Sequence, residues 1–390
     1  MTSAYDRCVS GGRRDTSGID IIEWRPSGHR MTYVAALARA AIDAGRPVTL
    51  WTTKEVTETV EFQTQVSSLV SPVEFSVEIS SGLGSARSLL HQLRVVRKRG
   101  GGAVVPEADR FLHVLLLALV TRQLPHPTAA IVMRPPQAVT GRLRGRLGSA
   151  GKSLLILGLL RSRTLDLQLV EDPLAQGNDR VWSQAVLSRE SLRLDDPCGL
   201  LGTPLSELPR ELRLARTRPF LAVLGVIDDR KQLPLILGAW ILNDPAGDYD
   251  LVVAGKQSPT IAMWLASATL PPNLVLIDRY LTDAEIHGLL EKAKGIFTLY
   301  DGGLSSGILV AAASMGRWVI AIEGSRTGNV AVKHGFGLVC APTTAEVAAA
   351  VQRVLAKTSM PEPVKVPSSS DFGRHVLRRM IEPQDTDDIR

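Results

Sequence analysis

Two hydrophobic rhythms alternate along this chain. Short apolar runs rich in Val, Ile and Leu predict buried strands. Stretches with apolar residues at every third or fourth position predict helices. The opening shows the pattern. Residues 19–24 read as a strand, which Pro26, Ser27, Gly28 and His29 break. Tyr33, Val34, Leu37, Ala38, Ala41 and Ile42 then recur at helical spacing until Gly45 stops the helix. A strand at 47–52 completes a βαβ unit, whose crossover is right-handed in nearly all proteins. Further strands are predicted at 73–78, 103–105, 129–133 and 165–170, with helices at 85–99 and 111–121, the latter apolar enough to be buried. Roughly six strands suffice for one doubly wound domain.

From 195 to 218 the rhythm dissolves into charge, Pro197, Pro204 and Pro209, which reads as an interdomain linker. A second series follows. Its strands are predicted at 220–224, 250–254, 275–278, 296–299, 318–322 and 339–341. Its helices are predicted at 232–243, 260–268, 284–294 (behind Thr282 as N-cap), 306–315 and 345–355. A last helix is expected at 371–381. The expected organisation is a flexible N-terminus at 1–17, a first domain at 18–205, a second at 206–358 and a tail at 359–390.

Composition narrows this picture. A chain of 390 residues is too long for one typical core and comfortable for two. At 45% hydrophobic residues global disorder is excluded, and at 5% aromatics the cores must be aliphatic. The net charge of +6 suits a sugar nucleotide, an anionic membrane face, nucleic acid or plain solubility, and does not choose among them. Cys8, Cys198 and Cys340 are far apart and form no CxxC pair, which argues for a reducing compartment and against a disulfide framework or zinc site. Residues 1–17 lack the apolar core of a signal peptide, and the longest apolar runs, 111–120 and 154–160, are too short to span a bilayer. A cytoplasmic location is expected, with peripheral contact at the inner membrane face left open.

Two stretches carry candidate chemistry. Gly225 follows the strand that opens the second series, and Lys231 comes six residues later beside Arg230. A diphosphate needs close backbone approach and a cation at fixed reach. A solvated Asp-Asp-Arg-Lys turn is the plain alternative. Ser305, Ser306 and Gly307 precede a small-residue helix ending at Gly316. A helix N-terminus there would offer N–H donors and a positive dipole end, although packing alone explains Ala311, Ala312 and Ala313.

Taken in order with Tyr280-Leu-Thr-Asp-Ala-Glu285, the short loop at 323–329 and Gly335-Phe-Gly-Leu-Val339, these stretches resemble the donor-binding half of GT-B glycosyltransferases in the large retaining family 4. The resemblance implies an α/β protein of GT-B type, two Rossmann-like doubly wound parallel-sheet domains facing a cleft. It places Lys231 and Arg230 on a donor diphosphate and Gly28 and His29 on the opposing wall. His29 is equally suited to a surface or capping role. Arg134 ends a strand where relatives keep a histidine near the reacting centre, and a structural ion pair explains it as well. The sequence also departs from the family. Val226 stands where an arginine often follows the glycine, and Trp318 replaces a proline. The two glutamates that touch the donor sugar and the ribose fall at Gly303 and Ala311, so both are absent. Asp301, two residues before Gly303, is the outside candidate for the sugar.

The function so implied is transfer of a sugar from a nucleotide-diphosphate sugar to a saccharide or lipid-linked acceptor, with retention of configuration. No metal or further cofactor is expected, because Lys231, Arg230 and helix dipoles would neutralise the leaving diphosphate. Arg142, Arg144, Arg146 and Lys152, with apolar 154–160, Arg161 and Arg163, fit either an anionic lipid surface or a charged helix end over the core. The rival reading is a non-catalytic GT-B protein that scaffolds an active glycosyltransferase. A sugar-nucleotide epimerase or hydrolase lacks an evident carboxylate or histidine cluster. Residues 148–153 look like the end of a P-loop, but Arg146 replaces its first glycine and no strand precedes it. No aromatic-interleaved basic patch suggests a nucleic-acid partner.

Overall fold

The computed structural model describes residues 18–25, 30–74, 82–132, 143–160, 162, 164–171, 174, 193–195, 206–214, 218–243, 248–300, 306–366 and 369–381. The chain divides into two compact units, Met1–Leu169 with Gly373–Arg390, and Val170–Phe372.

The first sheet has seven strands: β1 (Ile19–Ile22), β2 (Val48–Thr52), β3 (Ser71–Glu74), β4 (Gly102–Val105), β5 (Thr128–Val132), β6 (Leu165–Glu171) and β7 (Arg193–Asp195), in spatial order β3-β2-β1-β4-β5-β6-β7. The helices between them are α1 (Arg30–Asp43), α2 (Lys54–Thr57), α3 (Val60–Gln65), α4 (Gly82–Arg99), α5 (Leu112–Val120) and α6 (Leu143–Leu159). The second sheet has six strands: β8 (Phe220–Leu224), β9 (Asp250–Ala254), β10 (Leu274–Ile277), β11 (Gly295–Thr298), β12 (Trp318–Ile322) and β13 (Gly337–Cys340), ordered β10-β9-β8-β11-β12-β13. Its helices are α7 (Arg210–Leu214), α8 (Leu233–Asn243), α9 (Pro259–Ser267), α10 (Asp283–Lys292), α11 (Gly307–Ser314), α12 (Arg326–Lys333) and α13 (Thr344–Leu355). A final helix, α14 (Ser369–Ile381), follows.

The described pairings are parallel throughout, from β1 with β2 and β4 to β12 with β13. Parallel strands covered by helices on both faces need unbroken apolar sequence. Accordingly every residue of β1, β5, β8, β9 and β11 is buried. One polar exception, buried Asp20 on β1, accepts from Trp51 Nε1 at 2.6 Å and from Arg99 at 3.2 Å.

Several expectations change. The units separate at Leu169/Val170, not at 205/206, because Leu174 and Leu212 are buried in the core of the second unit. Within the stretch expected as a linker, α7 forms at Arg210–Leu214. The helices α2 and α3 escape the apolar period because they are short and largely polar, and α3 starts on Thr59, which accepts from Phe62 N at 3.2 Å. The loop expected at 323–329 is the start of α12, capped by Ser325 accepting from Gly328 N at 3.0 Å. Helix α5 is not wholly buried, since Leu117 and Val120 are exposed. Thr282 caps α10 as expected, and Glu285 closes a capping box. Cys340 is buried, which raises its thiol to about 11; Cys8 and Cys198 lie outside the described residues.

Candidate functional site

A doubly wound sheet opens a crevice where its winding reverses and two neighbouring strands send their connections to opposite faces. In the second unit the reversal falls between β8 and β11. In the first it falls between β1 and β4.

At the end of β8, Gly225 turns at φ +91. Its N–H donates to Ala254 O at 3.2 Å, and Gly255 passes so close that an added Cβ would lie 1.8 Å from Gly225 O. The two turns touch backbone to backbone, which only glycine permits. A 3-10 turn, Asp229–Lys231, follows, and the Asp228 carboxylate caps it by accepting from Arg230 N at 3.2 Å. This turn sends Lys231 back toward the strand end. A Cβ added at Gly225 would lie 3.9 Å from Lys231 Nζ, and that atom sits 4.7 Å from the Tyr300 ring centre.

Tyr300, just past β11, donates its hydroxyl hydrogen bond to Ser306. The same Ser306 oxygen accepts from Leu309 N at 3.3 Å and so caps α11. Lys231, Tyr300 and Ser306 thus converge from the two strands at the reversal. Lys231 is half-buried, and among the described residues no carboxylate or carbonyl takes a hydrogen bond from its ammonium. Desolvation lowers it to about 8, against the pull of Asp228. The Tyr300 face offsets part of that cost. A desolvated cation without an acceptor, beside a glycine turn and a helix N-terminus, has the chemistry to pair with an anion.

Of the expected site residues, the structure brings Gly225, Lys231, Ser306 and Gly307 to this point. Arg230 is paired with its neighbour: Nε and Nη2 both donate to Asp228 Oδ2, at 2.9 and 2.6 Å, and its side chain is largely exposed. Ala311 packs inside the core, where a glutamate would have no room. Gly28, His29, Arg134, Asp301, Gly303 and Ser305 lie outside the described residues.

The first unit's reversal holds a cluster that sequence reasoning missed. Glu23 follows β1 and Glu107 follows β4, and both are buried. Arg30 donates to Glu107 from Nε at 2.8 Å and lies 3.9 Å from Glu23. The Arg25 backbone N–H donates to Glu23 at 3.0 Å, and its guanidinium lies 3.8 Å from Glu107. Burial raises the Glu23 carboxyl to about 7, with Arg30 opposing. The absent carboxylate cluster is therefore present, assembled from residues 84 positions apart. The available signal was one acid within two residues of the end of each of two apolar strands. Among the described residues no group of three His, Cys, Asp or Glu is placed to hold a metal, and no helix is long and apolar enough to cross a membrane.

The sequence matches no family model and no curated protein. Solved structures do match. A UDP-N-acetylglucosamine 2-epimerase from Methanocaldococcus jannaschii aligns with TM-score 0.59 at 12% identity, over 93% of this chain and 98% of its own. Sucrose-phosphate synthase from Thermosynechococcus elongatus aligns with TM-score 0.58 at 14% identity, over 93% and 94%. HepE from Anabaena, solved in complex with UDP-glucose, aligns with TM-score 0.57 at 10% identity, over 93% and 95%. The chain has the GT-B fold. Both reversals therefore lie in Rossmann-like GT-B units, and the glycine turn and α11 occupy the reversal of the second.

Proposed function

We propose that the second unit binds a nucleotide-diphosphate sugar and that the chain is a glycosyltransferase acting on a saccharide or lipid-linked acceptor. The observation that carries this reading is the Lys231 ammonium, desolvated and without an acceptor, at the winding reversal beside Gly225 and the start of α11. Such a site neutralises a diphosphate in the ground state and, more strongly, as it leaves. Lys231 and the α11 amides hold the diphosphate, and Tyr300 fixes both by contacting Lys231 and Ser306. Neighbours of the same fold solved with UDP or UDP-glucose support the ligand class. Retention of configuration and the role of Asp301 belong to this proposal.

A second reading has its own observation. Ala311 is core, so the ribose anchor of the family pattern is replaced by packing. A GT-B protein that binds nucleotide without turnover fits that loss. Release of nucleoside diphosphate from UDP-, GDP- and dTDP-sugars, with and without acceptor mixtures, separates the two. Turnover of one donor supports transfer. Binding without turnover of any donor favours the second reading, and absence of binding overturns both.

A further inference from the structure

At the opposite end of the first sheet from its winding reversal, at the N-terminal ends of β4, β5 and β6, lies a cavity of about 500 Å³. Arg97, Gly100, Gly101, Arg122, His126 and Thr164 line it, with Leu119 and Leu124 as its apolar side and no carboxylate. Among the described residues neither Arg97 nor Arg122 has an ion-pair partner. Arg122 stands at φ +54, one residue past the α5 C-cap, where glycine is the residue of low cost.

The cavity opens beside an apolar face. Leu117 and Val120, one turn apart on α5, are 50% and 73% exposed, and Leu154 and Leu157, one turn apart on α6, are 70% and 43% exposed. The two helices pack together, with Gly158 facing Leu116. The sequence segments that carry this face are basic, and two of their cations are paired, Lys152 with Asp109 at 2.8 Å and Arg99 with Asp20 at 3.2 Å. Residues 91–102, 110–128 and 142–163 contain twelve Lys and Arg and no Asp or Glu, so the rest of the chain is net acidic.

We infer that this face docks on a bilayer containing anionic lipid, with Leu117, Val120, Leu154 and Leu157 entering the interface and a lipid phosphate held by Arg97 and Arg122. Exposed apolar residues with a basic rim give apolar insertion and electrostatic attraction together. The inference stands independently of the donor site.

The test is co-sedimentation of the full chain with vesicles of phosphatidylcholine alone or with about 30% phosphatidylglycerol. The expected result is binding to the anionic vesicles only, weakening as salt rises. Val120→Glu/Leu154→Glu and Arg97→Glu/Arg122→Glu should each lower binding at least tenfold with an unchanged circular dichroism spectrum. No binding by the wild type, or wild-type binding by either variant, overturns the inference. So does capture of free glycerol phosphate without vesicle binding. A dimer that Val120→Glu/Leu154→Glu dissociates, without vesicle binding, overturns it by assigning the face to a second copy.

Discussion

Lys231 joins stability to binding. Its folded pKa, about 8, lies below the ordinary lysine value of 10.5, so the unfolded chain binds more protons between those values. The cost of the buried charge is full below pH 8 and is relieved as pH rises toward 10.5. Lys231→Met should therefore raise the urea midpoint at pH 7 and flatten its rise above pH 8, while removing the cation that binding needs. A variant less stable than wild type at pH 7 would contradict this. Glu23 runs the opposite way. Its folded value of about 7 lies above 4.5, so the folded state holds the extra proton and stability falls as pH rises between them. Glu23→Gln mimics the protonated form and should stabilise the fold at pH 8 by on the order of 2 kcal/mol. Thermal midpoints across pH 4 to 9 would show the wild-type slope vanish in the variant. At this scale spacing placed Gly225 and Lys231 in one turn and Ser306 at the start of a helix, because each falls in a short local word. It missed Tyr300, Glu23 and Glu107, which meet Lys231 and Arg30 only through the fold, and it did not show that Asp228 takes hydrogen bonds from Arg230 Nε and Nη2.

The elements were legible where period and caps agree. Strands β8, β9 and β12 fall where their apolar runs place them, and α10 starts on the Thr282–Glu285 capping box. They were illegible where a helix is short or polar, as in α2 and α3, or begins at a serine inside a glycine-containing stretch, as in α12. At the proposed donor site the turns after β8 and β9 touch backbone to backbone. Gly255→Ala would force its methyl against Gly225 O and displace the turn that aims Lys231. The expected cost is about 2–3 kcal/mol in urea unfolding, together with weakened nucleotide binding. Wild-type affinity in this variant would show that the turn does not position the site.

For the whole molecule, two-domain α/β architecture followed from length and from the two strand–helix series, while the division point did not. The chain leaves the first unit at Leu169 and returns to it at Gly373, so the final residues complete a unit begun at the other end. Val376 and Leu377 of α14 are buried, and Arg379 lies 3.7 Å from Asp166 on β6. A chain ending at residue 366 should expose α1 and β6 and speed their amide hydrogen exchange roughly tenfold or more, leaving β8 to β13 protected. Uniform exchange changes in both units would contradict that division.

The central claim is that the second unit holds a diphosphate by Lys231 at its winding reversal. Calorimetric titration of UDP and GDP into wild type and Lys231→Ala at pH 7 tests it most directly. The account predicts binding of one nucleotide by the wild type and a loss of at least tenfold in the variant. Equal affinity in the two proteins would contradict it.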